Sequence, residues 1–143
     1  MNPQVVQEAQ AAPEPVVKKV APVKKAVEDK VEIINGRIHF RSGAKKFLTS
    51  KKVQKYLKHI AAEWKKNPKK KIYITGHTDS SGTKRANYRL GLVRSKSSRN
   101  ALVSFGVNPR AIKIKSMGES KPLSSNRTRK GRFYNRRVEI QLK

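Results

Sequence analysis

Between Ser50 and Asn67-Pro68, five apolar residues recur at spacings of three and four: Val53, Leu57, Ile60, Ala61 and Trp64, with lysines on the opposite side. That period predicts a helix with one face to bury, starting near Thr49 or Ser50 and stopping at the Asn-Pro pair. The neighbouring segments supply the surface to bury it on. Upstream, "VEIINGRIHF" (31–40) places two short β-prone runs around Asn35-Gly36, a strong two-residue turn signal, so a strand or small hairpin ends at Phe40. Downstream, "KKIYIT" (70–75) predicts a strand with Ile72 and Ile74 on one side. After a loop over 76–83, a second helix is expected from about Ala86 to Phe105, its buried side drawn from Leu90, Ala101, Leu102 and Phe105, with Gly106 ending it. "AIKIKSM" (111–117) and "RRVEIQL" (136–142) complete the set as strands; in the latter Val138, Ile140 and Leu142 alternate with polar residues. No internal repeat is visible. Strands alternating with helices predict an α/β sandwich, one sheet with helices packed on it.

The chain divides near residue 30. Residues 1–30 are rich in Ala, Pro, Val and Lys, contain no aromatic residue and nearly cancel in charge, which reads as an extended tether. Of 35 basic and 9 acidic residues in the whole chain, 30 and 5 fall in 31–143, so +25 of the net +26 belongs to the expected domain and not to a basic arm. Attraction to polyanions follows whatever the fold. With no cysteine in the chain, disulfides, thiolate metal sites and a Cys nucleophile are excluded. No apolar stretch approaches the roughly 20 residues needed to span a bilayer. The opening "MNPQVVQEAQAAPEP" lacks the basic-then-apolar order of a signal peptide, so either the protein works where it is made or an export segment is not visible in this chain.

The loop "GHTDSSG" (76–82) holds one of the few carboxylates, Asp79, where a strand leads into a helix N-terminus and backbone N–H groups are available to ligands. Taken alone, Asp79 is better explained by a turn hydrogen bond than by a ligand. The order of the surrounding motifs goes further. "HFRSGAKKFL", "NPKKKIYITGHTD", "GHTDSSGTKRANYRLGLVRS", "GV" at 106–107, "MGESKPLSSN" and "GRFYNRRVEI" together resemble the OmpA-like peptidoglycan-binding domain, from about Ile38 to the end. The resemblance implies a βαβαβ-type two-layer sandwich with a mixed sheet and helices packed on it. It also implies a non-catalytic role without cofactor or metal, a periplasmic, cell-wall-associated location, and a ligand: the peptide stem of peptidoglycan, gripped through diaminopimelate. Carried onto this chain, the residues are Asp79 and Arg94, with Asn87 two helical turns before Arg94, Arg136 near the ligand, and Thr78 and Arg137 as further members. The chemistry fits, since a carboxylate accepts from an ammonium and a guanidinium fork meets a carboxylate.

The chain also departs from the family pattern. Two helix positions that are commonly apolar are Ser95 and Ser98, which predicts a thinner core or a partner surface at this place. His39, His59 and His77 have no metal-ligating spacing, and His77 reads as loop structure. Two function classes follow: an anchor tying an envelope, motor or secretion assembly to peptidoglycan, with residues 1–30 as its spacer, or the same fold recruited as a basic, RNA- or polyanion-binding component of a large particle. The set Asp79, Asn87, Arg94 and Asn135-Arg136-Arg137 favours the first.

Overall fold

The computed structural model describes residues 31–34, 36–41 and 50–143; the expected tether over 1–30 lies outside them. Strands β1 (Val31–Ile34) and β2 (Arg37–Phe40) form an antiparallel hairpin in which Ile34 faces Arg37. Gly36 takes φ +74°, a left-handed value that a Cβ disfavours. Helix α1 spans Lys51–Lys66 and buries the five residues of its apolar stripe. Strand β3 (Ile72–His77), helix α2 (Lys84–Ser104), strand β4 (Ile112–Gly118), helix α3 (Arg129–Asn135) and strand β5 (Arg137–Leu142) follow.

The five strands form one mixed sheet in the order β1-β2-β5-β3-β4, parallel between β3 and β4 and antiparallel elsewhere. Helices α1 and α2 cover one face. The core between the layers is built from Ile38, Phe40, Val53, Leu57, Ile72, Ile74, Leu102 and Val138, each buried. Period-2 alternation explains which strand residues enter it: Ile72 and Ile74 point to the helices while Tyr73 remains 38% exposed on the other side. Trp64 is buried with its indole N–H donating to the Lys70 carbonyl at 3.0 Å, so its polar atom carries no desolvation penalty. Tyr56 ties α1 to the hairpin by donating its hydroxyl to the Gly36 carbonyl at 2.6 Å.

Four expectations are corrected. Helix α2 starts at Lys84 and not near Ala86, because Thr83 caps it by accepting from the Ala86 N–H. Its buried side is Asn87, Gly91, Arg94, Ser95, Ser98, Ala101 and Leu102, while Leu90 and Phe105 are only half-buried. Apolar residues turn inward only in the last two turns; nearer the loop the inward positions are Asn87, Gly91, Arg94, Ser95 and Ser98, with the closest backbone approach at Gly91. His77 belongs to β3 and is buried, not part of the loop. Ser95 and Ser98 mark no partner surface. Both are fully buried, and their hydroxyls are satisfied internally: Ser95 donates toward the Gly91 and Lys115 carbonyls at 3.0 Å each, and Ser98 to the Arg94 carbonyl at 3.0 Å.

Candidate functional site

At the end of β3 the register shifts between Gly76 and His77, and the chain leaves the sheet with Thr78 and Asp79 buried. The Thr78 N–H donates to the Gly118 carbonyl at 2.8 Å, fixing the exit of β3 beside the end of β4. The Thr78 hydroxyl donates to the Asp79 carbonyl at 2.9 Å, so this residue shapes the loop.

Asp79 makes the turn hydrogen bond and, in addition, a buried ion pair within the domain. One carboxylate oxygen accepts the Ser81 N–H at 2.9 Å, closing a turn. The other accepts from Arg136 at 2.6 Å, with the two side chains only 8% and 10% exposed. Burial pushes the Asp79 carboxyl up, but hydrogen bonds from Ser81 and Arg136 and the Arg136 charge outweigh it and hold the group below the usual carboxylate range.

Arg136 ends α3 and immediately precedes β5, which lies in the interior of the sheet between β2 and β3. Its Nε donates to the Phe40 carbonyl at 2.8 Å, and the Phe40 N–H donates back to the Arg136 carbonyl at 2.9 Å. The guanidinium is thereby aimed at Asp79 by backbone anchors on β2.

Arg94 is fully buried, with Cζ 4.5 Å from the centroid of the Phe40 ring, a cation–π distance, and Nη1 3.5 Å from the His77 carbonyl oxygen. Burial and the nearby Arg136 charge lower its pKa to about 10, against the opposing pull of Asp79. Asn87, on the same face of α2, donates to the Gly82 carbonyl at 3.3 Å and to Glu119 at 2.7 Å. The helix reaches this close because Gly76 and Gly91 meet without side chains: a Cβ on Gly76 would overlap the Gly91 carbonyl oxygen and lie 2.8 Å from Ser95 Oγ.

The fold therefore brings Asp79, Arg94 and Arg136 together around Phe40, with Asn87 on the adjoining turn. Arg137 is not part of that set. Successive strand residues point to opposite faces, so Arg137 binds Glu139 at 2.7 Å and the Lys121 carbonyl at 3.0 Å on the face away from α1 and α2. There Arg37 also reaches Glu139, at 3.3 Å, and His77 lies 3.7 Å from the same carboxylate.

One contributor, Glu119, was missed in the sequence, and Asn135 was read only as part of the Asn135-Arg136-Arg137 run. Glu119 holds Asn87, and its rarity among the five acids of 31–143 was the available signal. Asn135, fully buried, fastens the preceding loop by accepting the Leu123 and Ser124 N–H groups and donating to Ser124 and Asn126. Among the described residues, no group of three or more His, Asp or Glu is placed to hold a metal ion.

A buried carboxylate paired with Arg136 and lying near the buried Arg94, at the end of a central strand of an α/β sandwich, forms a compact charged cluster. The chain belongs to the OmpA family, whose model matches residues 39–136. It is 39% identical over 83 residues to the probable lipoprotein YiaD of Escherichia coli, an alignment covering 58% of this chain and 38% of that one. The crystal structure of the peptidoglycan-associated lipoprotein from Burkholderia pseudomallei superposes with a TM-score of 0.71 at 27% identity, covering 76% of this chain and 91% of that one. A type VI secretion cell wall anchor from Pseudomonas aeruginosa superposes with a TM-score of 0.58 at 25% identity, covering 81% and 87%. The chain spans less than two-fifths of the length of the curated relatives it matches.

Proposed function

We propose that the cleft binds the peptide stem of peptidoglycan and that the protein is a non-catalytic, periplasmic anchor to the cell wall. In this reading 31–143 carry the binding domain and 1–30 link it to an envelope-associated assembly. The observation that carries it is the Asp79–Arg136 pair at 2.6 Å beside the buried Arg94. A diaminopimelate head presents an ammonium and a carboxylate together. Asp79 accepts from the ammonium, and the carboxylate meets the two guanidiniums, whose charge exceeds what one aspartate balances. Asn87 and Glu119 line the next turn, where further polar groups of the stem would lie. Similarity to a peptidoglycan-associated lipoprotein and to a cell wall anchor supports the assignment.

The test is calorimetric titration of wild type and Asp79→Ala with free diaminopimelate-containing stem peptide, paired with RNA binding at fixed salt. Peptide binding is expected to drop at least about tenfold, the weight of one charge-assisted contact. RNA binding is expected to stay equal or strengthen, because a negative charge is removed. Unchanged peptide affinity in a folded variant would reduce Asp79 to a turn residue.

A further inference from the structure

The opposite end of the domain carries a second feature. Ile72 pairs with both Ile112 and Leu142, and the Lys143 N–H donates to the Lys71 carbonyl at 2.9 Å, so β3 and β4 begin where β5 ends. Helix α1 finishes at the same edge, held there by the Trp64 bond to the Lys70 carbonyl. This topology gathers Lys65 and Lys66 from the last turn of α1 and Lys69, Lys70 and Lys71 from the connection to β3, all exposed. Arg110 ahead of β4, Lys113 within it and Lys143 after β5 add exposed cations from distant parts of the chain.

The one acid described at this pole is Glu63, already paired with Lys66 at 3.2 Å. Asp79 and Glu119 sit at the cleft end, and Glu139 is held by Arg37 and Arg137. The six residues of β3 separate the two ends by about 20 Å. Crowding like charges in this way opposes folding, so stability does not explain the cluster.

We propose that this lysine pole docks on an anionic phospholipid surface. Seven of its eight cations are lysines, compact point charges suited to scattered headgroup phosphates, with Arg110 the only planar fork. Its one exposed aromatic residue, Tyr73, has the Lys143 ammonium 5.0 Å from its ring centroid, which leaves no open platform for stacked bases. The pole lies apart from the Asp79 cleft, so the proposal does not rest on the cell-wall reading. Both surfaces can be occupied at once.

The experiment is co-sedimentation of the full chain with vesicles of one-third phosphatidylglycerol in phosphatidylcholine, and with phosphatidylcholine alone, at about 0.1 M salt. A pole variant, Lys69→Gln/Lys70→Gln/Lys71→Gln/Lys143→Gln, is compared with an equal-charge control on exposed α2 positions, Lys84→Gln/Arg85→Gln/Arg89→Gln/Lys96→Gln. Binding to the anionic vesicles alone is expected, falling at least about tenfold in the pole variant and less than about threefold in the control. Equal losses in both variants would assign the effect to net charge and overturn the proposal, as would absence of binding to the anionic vesicles. Tighter pole-dependent binding of poly(U) RNA at the same salt would overturn it in favour of a nucleic-acid surface. Sacculus pulldown by the pole variant reads the cleft separately.

Discussion

Replacing Asp79 by Asn tests whether the cleft is held together by its charge pair. The substitution keeps the size and one acceptor oxygen, so the Ser81 turn bond can persist, but the charge opposite Arg136 disappears. At 2.6 Å with an effective dielectric of 20, the lost attraction is about 6 kcal/mol before solvation is counted. Most of that is offset by the cost of burying the ions. What remains after removing one partner of a buried pair is typically about 3–5 kcal/mol, since the other charge is left uncompensated. Here Arg94 lies close enough for its own pKa to be lowered by Arg136, so the variant leaves two neighbouring guanidiniums without their shared carboxylate. Arg136 keeps its bond to the Phe40 carbonyl, which places the expected loss at the lower end, about 3 kcal/mol. Urea denaturation of wild type and variant at pH 7 measures it. The sign against pH gives a second readout. The Asp79 carboxyl is held below its unfolded value, so its contribution is present above that value, about 3.9, and is lost as pH falls through the depressed folded pKa. The wild type is expected to lose this increment in strong acid and the variant to lack it. A cost below about 1 kcal/mol, together with an unchanged acid limb, would mean that the pair is not closed in solution.

Two further outcomes follow from the same region. Gly76→Ala drives a Cβ against the backbone of Gly91 and is expected to cost about 3 kcal/mol or more in a denaturant melt; Gly82→Ala, which meets the Asn87 side chain at 3.0 Å and the Ala86 Cβ at 3.9 Å, is expected to cost less than about 1 kcal/mol. His39 and His77 are both lowered to about 4, chiefly by burial, so the unfolded chain takes up their protons first. Their stabilisation is complete above about pH 6.5 and is lost as pH falls toward 4, on the order of 3 kcal/mol for His39. A urea midpoint that stays flat from pH 7 to pH 5 would contradict this.

Where a segment's periodicity was set by burial on one face, it was readable from residue order. The stripe of α1 and the alternation of β3 and β5 are such cases. Helix α3 was not anticipated because "RKGRFYN" has a glycine inside it and no apolar period. Gly131 is there for a steric reason, since a Cβ would collide with the Ser125 carbonyl, and the Thr128 cap bond to Gly131 was the one local signal. In the cleft, the rarity of carboxylates and the order of motifs pointed to Asp79, Arg94 and Arg136. They ranked Arg136 ahead of Arg137 but kept Arg137 in the set, because its exclusion depends on which residue first enters β5 and therefore which face each takes. The buried side of α2 was assigned only in part, with Ala101 and Leu102 buried as expected, for a related reason. Apolar residues were expected to face inward, but the Gly76–Gly91 approach requires small residues at Gly91 and Ser95, and the next inward position is taken by Arg94 against the Phe40 ring.

That reading of α2 separates its two serines, although both are fully buried and both accept the same substitution. Ser98 donates only to the Arg94 carbonyl four residues earlier, a bond that supplements the helical one. Removing it leaves no orphaned group, and alanine is the better helix former by a few tenths of a kcal/mol. Ser98→Ala should therefore be neutral or slightly stabilising. Ser95 also donates to the Lys115 carbonyl on β4, an edge strand with a neighbour on one side only. Ser95→Ala takes away the cross-link from α2 to that strand and leaves a part-buried acceptor without it, a loss of about 1–2 kcal/mol. Chemical denaturation of the two single variants under identical conditions decides the matter. Equal costs for the two would mean that the serines are interchangeable space-fillers, and the backbone-proximity account of this helix would be wrong.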